Sequence, residues 1–211
     1  GIRDKLVTGV QTCALPISVT KKLLPTGKPL DVIDGIDVSC IDVAMPTILM
    51  RAEAFGKTGY ETANELDADK ALFARMQAIR IKAGALMGMG DVSKAVVPKI
   101  ALLAKPRNGG VLCVRYFVPY ACHKALAVTG TVCLASACAI PGTIAEHIAG
   151  LVNGPQGIVE IEHPSGKITI DLDADFREGR ETLRRAALVR TARRIFEGLV
   201  NVPRAVWNGH K

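Results

Sequence analysis

VRYFVPYACHKALAVTG, residues 114–130, runs directly into TVCLASACAI, residues 131–140, and the junction of the two decides the fold. Residues 111–118 are a β-branched and aromatic run that reads as a strand. Residues 121–140 are apolar nearly all round and rich in Ala, Thr, Ser, Cys and Gly, the pattern of a helix enclosed on every side with other backbones close against it. The strand therefore delivers the chain to the mouth of an enclosed helix, where the first N–H groups lack intrahelical acceptors and attract an anion. Cys122, His123 and Lys124 are expected at that mouth. A thiol, an imidazole and an ammonium beside a positive helix end suit proton transfer and carboxylate binding. Chance polar residues at a helix start would account for the same three side chains equally well.

Outward from the junction the chain is rich in strands. Residues 97–104 and 111–118 flank the turn-forming Lys105-Pro106-Arg107-Asn108-Gly109-Gly110, a hairpin signal. Residues 158–162 and 167–173 alternate around His163-Pro164-Ser165-Gly166 and predict a second hairpin. Val38, Cys40 and Ile41 lead through Val43 to Met45-Pro46, after which 47–50 resume the apolar run, so two strand segments flank a proline-marked irregularity. Residues 24–37, with their prolines, glycines and aspartates, read as loop or linker. Between Gly59 and Gly90, Leu66, Leu72, Met76, Ile79 and Ala83 recur at helical spacing, with Asn64, Asp67 or Asp69 as caps, and this reads as a solvated surface helix without chemistry. The segment 183–194 fits a helix or a strand.

The chain of 211 residues, 49% hydrophobic and 22% charged, has an ordinary globular composition and can bury a full core. The net charge of +7 suits a polyanion or a small acidic substrate, and with only 4% aromatics base-stacking platforms are scarce. Cys13, Cys40, Cys113, Cys122, Cys133 and Cys138 form no C-x-x-C pair and read as reduced thiols of a cytoplasmic protein. Residues 125–140 are sixteen uncharged residues, short of the roughly 18 needed to span a bilayer, so no membrane partner is expected.

Several motifs take their plain readings. MGMGDVS at 87–93 lacks the third glycine of a phosphate loop and follows a helix, so it reads as helix termination with a new cap at Asp91. Glu160, Glu162 and His163, like Glu146 and His147, lack the spacing that puts two imidazoles on one helix face, and no metal site is assigned. The arginines at 177, 180, 184, 185, 190, 193, 194 and 204 are interleaved with Glu178, Glu181 and Glu197, a partly ion-paired solvated face, and no nucleic acid is assigned.

Five blocks extend the reading: CIDVAMPTILMRAEAFGKTGYE (40–61), ELDADKALFARMQAIRIKAG (65–84), MGMGDVSKAVVPK (87–99), VRYFVPYACHKALAVTG (114–130) and IEHPSGKITIDL (161–172). In this order they resemble the oxalomesaconate tautomerase and methylaconitate cis-trans isomerase family, the PrpF-like proteins. The resemblance implies an α+β, diaminopimelate-epimerase-like fold. Each of its two similar domains is a curved, mostly antiparallel sheet wrapped around a central helix, with the active site in the cleft between them. It makes 18–205 the C-terminal domain and 206–211 a tail, and it tips 185–203 toward strand. Residues 1–17, GIRDKLVTGVQTCALPI, resemble a translated sequencing adapter, which would make the chain a truncated product lacking a first, catalytic domain. Thr129-Gly130 fall on the Thr-Gly of the more distant epimerases' cysteine loop, whose cysteine is replaced near Ala127.

The implied reaction is a cofactor-independent proton shift in a small polycarboxylate, as in keto–enol tautomerisation of 4-oxalomesaconate in aromatic-acid breakdown. Isomerisation of 2-methylaconitate in propionate breakdown is the close alternative, and a basic nucleic-acid-binding module is the alternative of another class. Such a shift needs a base, an acid and fixed donors for the enolate charge. His123 and Cys122 are the expected proton-transfer groups. Thr129 and Gly130 are expected to supply backbone donors and Lys124 a carboxylate contact, with Met45 and Pro46 on the facing loop. A homo-oligomer is compatible with this reading, and an isolated half is expected to show little or no turnover.

Overall fold

The computed structural model describes residues 19–118, 120–151, 156–176, 182–189 and 197–207. The first seventeen residues, to which the adapter resemblance applies, lie outside these, as do residues 190–196 of the last ambiguous segment.

Eight strands form one sheet in sequential order: β1 (Asp31–Ile33), β2 (Ile36–Val43), β3 (Met45–Arg51), β4 (Lys99–Ala104), β5 (Leu112–Phe117), β6 (Gln156–His163), β7 (Gly166–Asp175) and β8 (Thr182–Leu188). The sheet is mixed. Pairs β3–β4 and β5–β6 are parallel, and the remaining neighbours are antiparallel. Each parallel step needs a helical crossover: α1 (Ala63–Ala68) and α2 (Lys70–Leu86) serve the first, α3 (Val128–Ala137) and α4 (Ile144–Ala149) the second. Because β3 and β5 run in opposite directions while both crossovers step the same way along the sheet, the right-handed preference puts the two helix pairs on opposite faces.

The core composition bears this out. Ile41, Val43, Leu49, Ala101, Leu103, Leu112, Val114 and Tyr116 pack with α3 and α4, whereas Val38, Cys40, Ile48, Met50, Ile100, Leu102 and Phe117 pack with α1 and α2. Strand alternation sends successive side chains to these two cores, which is why β2–β5 read as continuous apolar runs. Only one face of β7 is covered: Ile168, Ile170, Leu172 and Ala174 are buried between more exposed neighbours. Within α3 every residue from Gly130 to Ala137 is buried, and the helix touches β2 and β3 and again β6, β7 and β8. Among the described residues no helix is long and apolar enough to cross a membrane.

Four expectations change in detail. The loop reading of 24–37 hid β1, which pairs with β2 through Asp34 and Gly35, both at positive φ, as a two-residue hairpin turn demands. The irregularity at Met45-Pro46 is the second arm of a tight hairpin, turned by Ala44 at φ 60°, with Val43 opposite Met45. The long helix of 59–90 is two helices broken at Asp69, whose carboxylate accepts from Leu72 N–H and caps α2. The enclosed helix begins at Val128 rather than Ala121. Thr182–Leu188 is a strand paired with β7.

Thr62 and Glu65 form a reciprocal capping box at the start of α1. Thr62→Ala is expected to cost about 1 kcal/mol in chemical denaturation.

Candidate functional site

The site is built on the first turn of α3. Ala127 enters it in extended conformation and no side chain caps the helix, so the N–H groups of Val128, Thr129 and Gly130 are left without intrahelical acceptors. Thr131 closes the first helical bond, donating to the Ala127 carbonyl at 2.8 Å. Peptide dipoles add positive potential at this end.

Tyr116 locates that turn. A Cβ at Gly130 would lie 2.8 Å from the ring Cζ and 3.1 Å from the hydroxyl, so glycine lets the helix sit directly on the ring. The Tyr116 hydroxyl meets the Thr47 side chain, and burial first of all pushes its pKa up. Thr47 Oγ1 in turn donates to the Met45 carbonyl at 3.0 Å. This relay ties the Met45 carbonyl, at the start of β3, to the ring beneath Gly130, whereas Pro46 alternates to the face of Ile48 and Met50, which pack with α1 and α2. Tyr116 and Thr47 were not singled out in the sequence, where both read as ordinary strand residues.

The same tyrosine anchors the loop before α3. Its carbonyl accepts from His123 N–H at 2.7 Å. His123 Nδ1 accepts from Ala125 N–H at 3.0 Å, which leaves Nε2 to carry the proton of the neutral ring. Lys124 is exposed, and its carbonyl accepts from Ser165 Oγ in the β6–β7 turn.

Cys122 departs from the expected arrangement. The chain does not enter a helix after β5 but turns back, with Val118 N–H donating to the Ala121 carbonyl and Phe117 pairing with Cys122. Cys122 therefore joins the core of the α1–α2 face, across the sheet from α3, where Asp67 Oδ1 accepts from its N–H at 2.6 Å. Burial, with the Asp67 charge, pushes its thiol up to about 11. Burial likewise raises Cys40, Cys133 and Cys138 to about 12. None of these is a thiolate at neutral pH. A thiol reagent should leave Cys40, Cys113, Cys122, Cys133 and Cys138 unmodified in the native protein and label all five after denaturation, as read by mass spectrometry. Rapid native labelling of Cys122 would restore it as a reactive group.

The other polar clusters resolve into structural pairs. Glu160 pairs with Lys167 at 2.6 Å, and Glu162 accepts from the backbone N–H groups of Arg107, Asn108 and Gly110. Arg184 and Arg185 pair with Asp173 and Asp171 across the β7–β8 ladder. Of the remaining C-terminal arginines, Arg204 is exposed and the others lie outside the described residues.

Comparison with known proteins agrees with this architecture. The family described as PrpF protein matches residues 12–203. The chain is 43% identical over 187 residues to the 4-oxalomesaconate tautomerase of Pseudomonas putida, covering 89% of this chain and 51% of that protein. It is 31% identical over 204 residues to the 2-methyl-aconitate isomerase of Shewanella oneidensis, covering 86% and 51%. The crystal structure of a methylitaconate-delta-isomerase superposes with a TM-score of 0.75 at 34% identity, over 88% of this chain and 53% of that one. The chain thus spans about half the length of the relatives it matches.

Proposed function

The chain belongs to the PrpF protein family, and from that premise we propose that it supplies one wall of an isomerase site for a small polycarboxylate, with the first turn of α3 as the carboxylate cradle. The observation that carries this is the uncapped, buried α3 resting on Tyr116 through Gly130. A helix end without a side-chain cap satisfies its N–H groups with water or a ligand, and a carboxylate answers both the donors and the dipole.

In the proposed reaction a proton leaves an acidic carbon of an unsaturated oxaloacid and returns at oxygen or along the allylic system. The negative charge of the enolate is met by the Thr129 and Gly130 N–H groups. Lys124 contacts a second carboxylate, Met45 closes the facing side, and His123 Nε2 moves the proton. No role is assigned to Pro46 or Cys122. The substrate is proposed to be 4-oxalomesaconate, with 2-methylaconitate as the alternative. The likeness to one tautomerase at 43% identity favours the first.

This domain is further inferred to be one half of a two-domain, diaminopimelate-epimerase-like arrangement. The contacts of the ten-residue α3 with both β2–β3 and β6–β8 support a sheet that curves around it.

Binding tests the site without depending on turnover. In the 15N-labelled chain, titration with tricarballylate, an unreactive tricarboxylate, should shift the Val128, Thr129 and Gly130 amides saturably. Substrate identity follows from whether 4-oxalomesaconate or 2-methylaconitate competes more strongly. Amides of that turn unmoved at saturating ligand would remove the proposal.

A further inference from the structure

On the sheet face opposite α3 lies a cavity of about 500 Å³ whose walls include Tyr60, Arg107, Cys113, Arg115, Glu162 and Lys167. Its separation from the α3 turn follows from β5: Leu112, Val114 and Tyr116 belong to the α3 core, so the alternating Cys113 and Arg115 point the other way. Arg115 is only 5% exposed and has no acidic side-chain partner among the described residues. Its Nε donates to the Glu61 carbonyl at 2.5 Å, and its Nη1 to the Val114 carbonyl and the Cys113 sulfur at 3.0 and 3.4 Å. Of the five N–H donors on a guanidinium, the two on Nη2 meet no acceptor among the described residues. Ser136 Oγ is the one fully buried side-chain polar atom without a partner among the described residues, so Arg115 Nη2 opens on the cavity, where a guanidinium charge with two available donors attracts an anion in competition with water.

The surroundings set the kind of anion. Arg107 lies over the Tyr60 ring, its Cζ 3.3 Å from the centroid, which holds a second guanidinium at the rim. Glu162 faces the same space, but three backbone N–H groups already occupy its oxygens. Lys167 is paired with Glu160. Arg107, Arg115 and Lys167 against Glu160 and Glu162 make three cations to two carboxylates, an excess of one positive charge. A planar group bearing a single charge matches that excess and the paired Nη2 donors better than a phosphate does.

We propose that this cavity is a second anion site, taking the carboxylate end of a small organic acid between Arg115 and Arg107. It stands independently of the reading of α3.

Succinate, phosphate and chloride, each titrated at constant ionic strength into the 15N-labelled chain, test it. Succinate should shift the Asn108, Cys113 and Arg115 amides saturably and bind more tightly than phosphate. Arg107→Ala, in an exposed loop, should weaken succinate about tenfold or more. Shifts at Thr129 and Gly130 should follow a separate isotherm that Arg107→Ala leaves alone, so failure at one site is distinguishable from failure at the other. Lack of saturation, an equal response to chloride, phosphate binding at least as tightly as succinate, or an unchanged affinity in Arg107→Ala would each overturn the proposal.

Discussion

Glu162→Ala should lower folding stability by about 2–5 kcal/mol, because it strands three backbone donors at once. The Glu162 side chain reaches from the end of β6 into the β4–β5 loop and accepts from Arg107 N–H at 2.8 Å, Asn108 N–H at 2.5 Å and Gly110 N–H at 3.0 Å. The residue is 3% exposed but borders the cavity, so water there replaces part of these bonds once the carboxylate is gone. Gly110 fits the same design, since a Cβ there would lie 2.7 Å from Glu162 Cγ. Glu162→Gln keeps one acceptor oxygen but turns an amide N–H₂ toward the loop donors, and it should fall between wild type and alanine in chemical denaturation. A loss under 1 kcal/mol for Glu162→Ala would mean the clamp contributes little.

The same clamp makes a pH prediction. Burial acts to raise the Glu162 carboxyl, and the three N–H donors together with Lys167 overcome it, holding the group below its ordinary value. A carboxyl whose folded pKa is lowered contributes stability that is fully present above the unfolded value, about 4.3, and is lost as pH falls through the folded one. Wild-type stability should therefore drop more steeply below about pH 4 than that of Glu162→Ala. Parallel acid-unfolding curves for the two would contradict this.

Gly130→Ala should both destabilise the fold and weaken tricarboxylate binding at α3. Alanine in place of glycine favours a helix by up to about 1 kcal/mol. Here the new Cβ would sit 2.8 and 2.9 Å from the Cζ and Cε2 atoms of a ring that is 1% exposed and has nowhere to turn. Overpacking of this kind costs about 1–3 kcal/mol and wins over propensity. Relief of the clash requires the first turn of α3 to lift away from Tyr116, which moves the Thr129 and Gly130 donors. Tyr116→Leu combined with Gly130→Ala should restore part of the stability lost by Gly130→Ala alone. Full additivity of the two losses would show that ring and helix are not in the close contact described.

Much of the fold was legible because its signals are local. Strand runs at 97–104 and 111–118, the turn chemistry of 105–110 and 163–166, and the all-round apolar pattern within 121–140 are properties of neighbouring residues. Five blocks in order made the family recognisable for the same reason. Thr129-Gly130 could be named only through the resemblance to the epimerases' Thr-Gly, because the apolar pattern alone starts the helix at Ala121 and leaves both residues in its interior.

Sequence by itself determined that an enclosed small-residue helix would follow a strand and offer its N–H groups at one end. Tertiary structure alone decided which residues stand beside that end. Cys122, His123 and Lys124 are consecutive, yet a backbone turn at 118–121 carries Cys122 into the opposite core, buried and protonated, while Thr47, distant in the chain, reaches Tyr116 under the helix. Pleat alternation sends adjacent residues of one strand to opposite faces, and crossover handedness chooses what each face meets. Both depend on pairings between strands far apart in sequence, which no local pattern encodes.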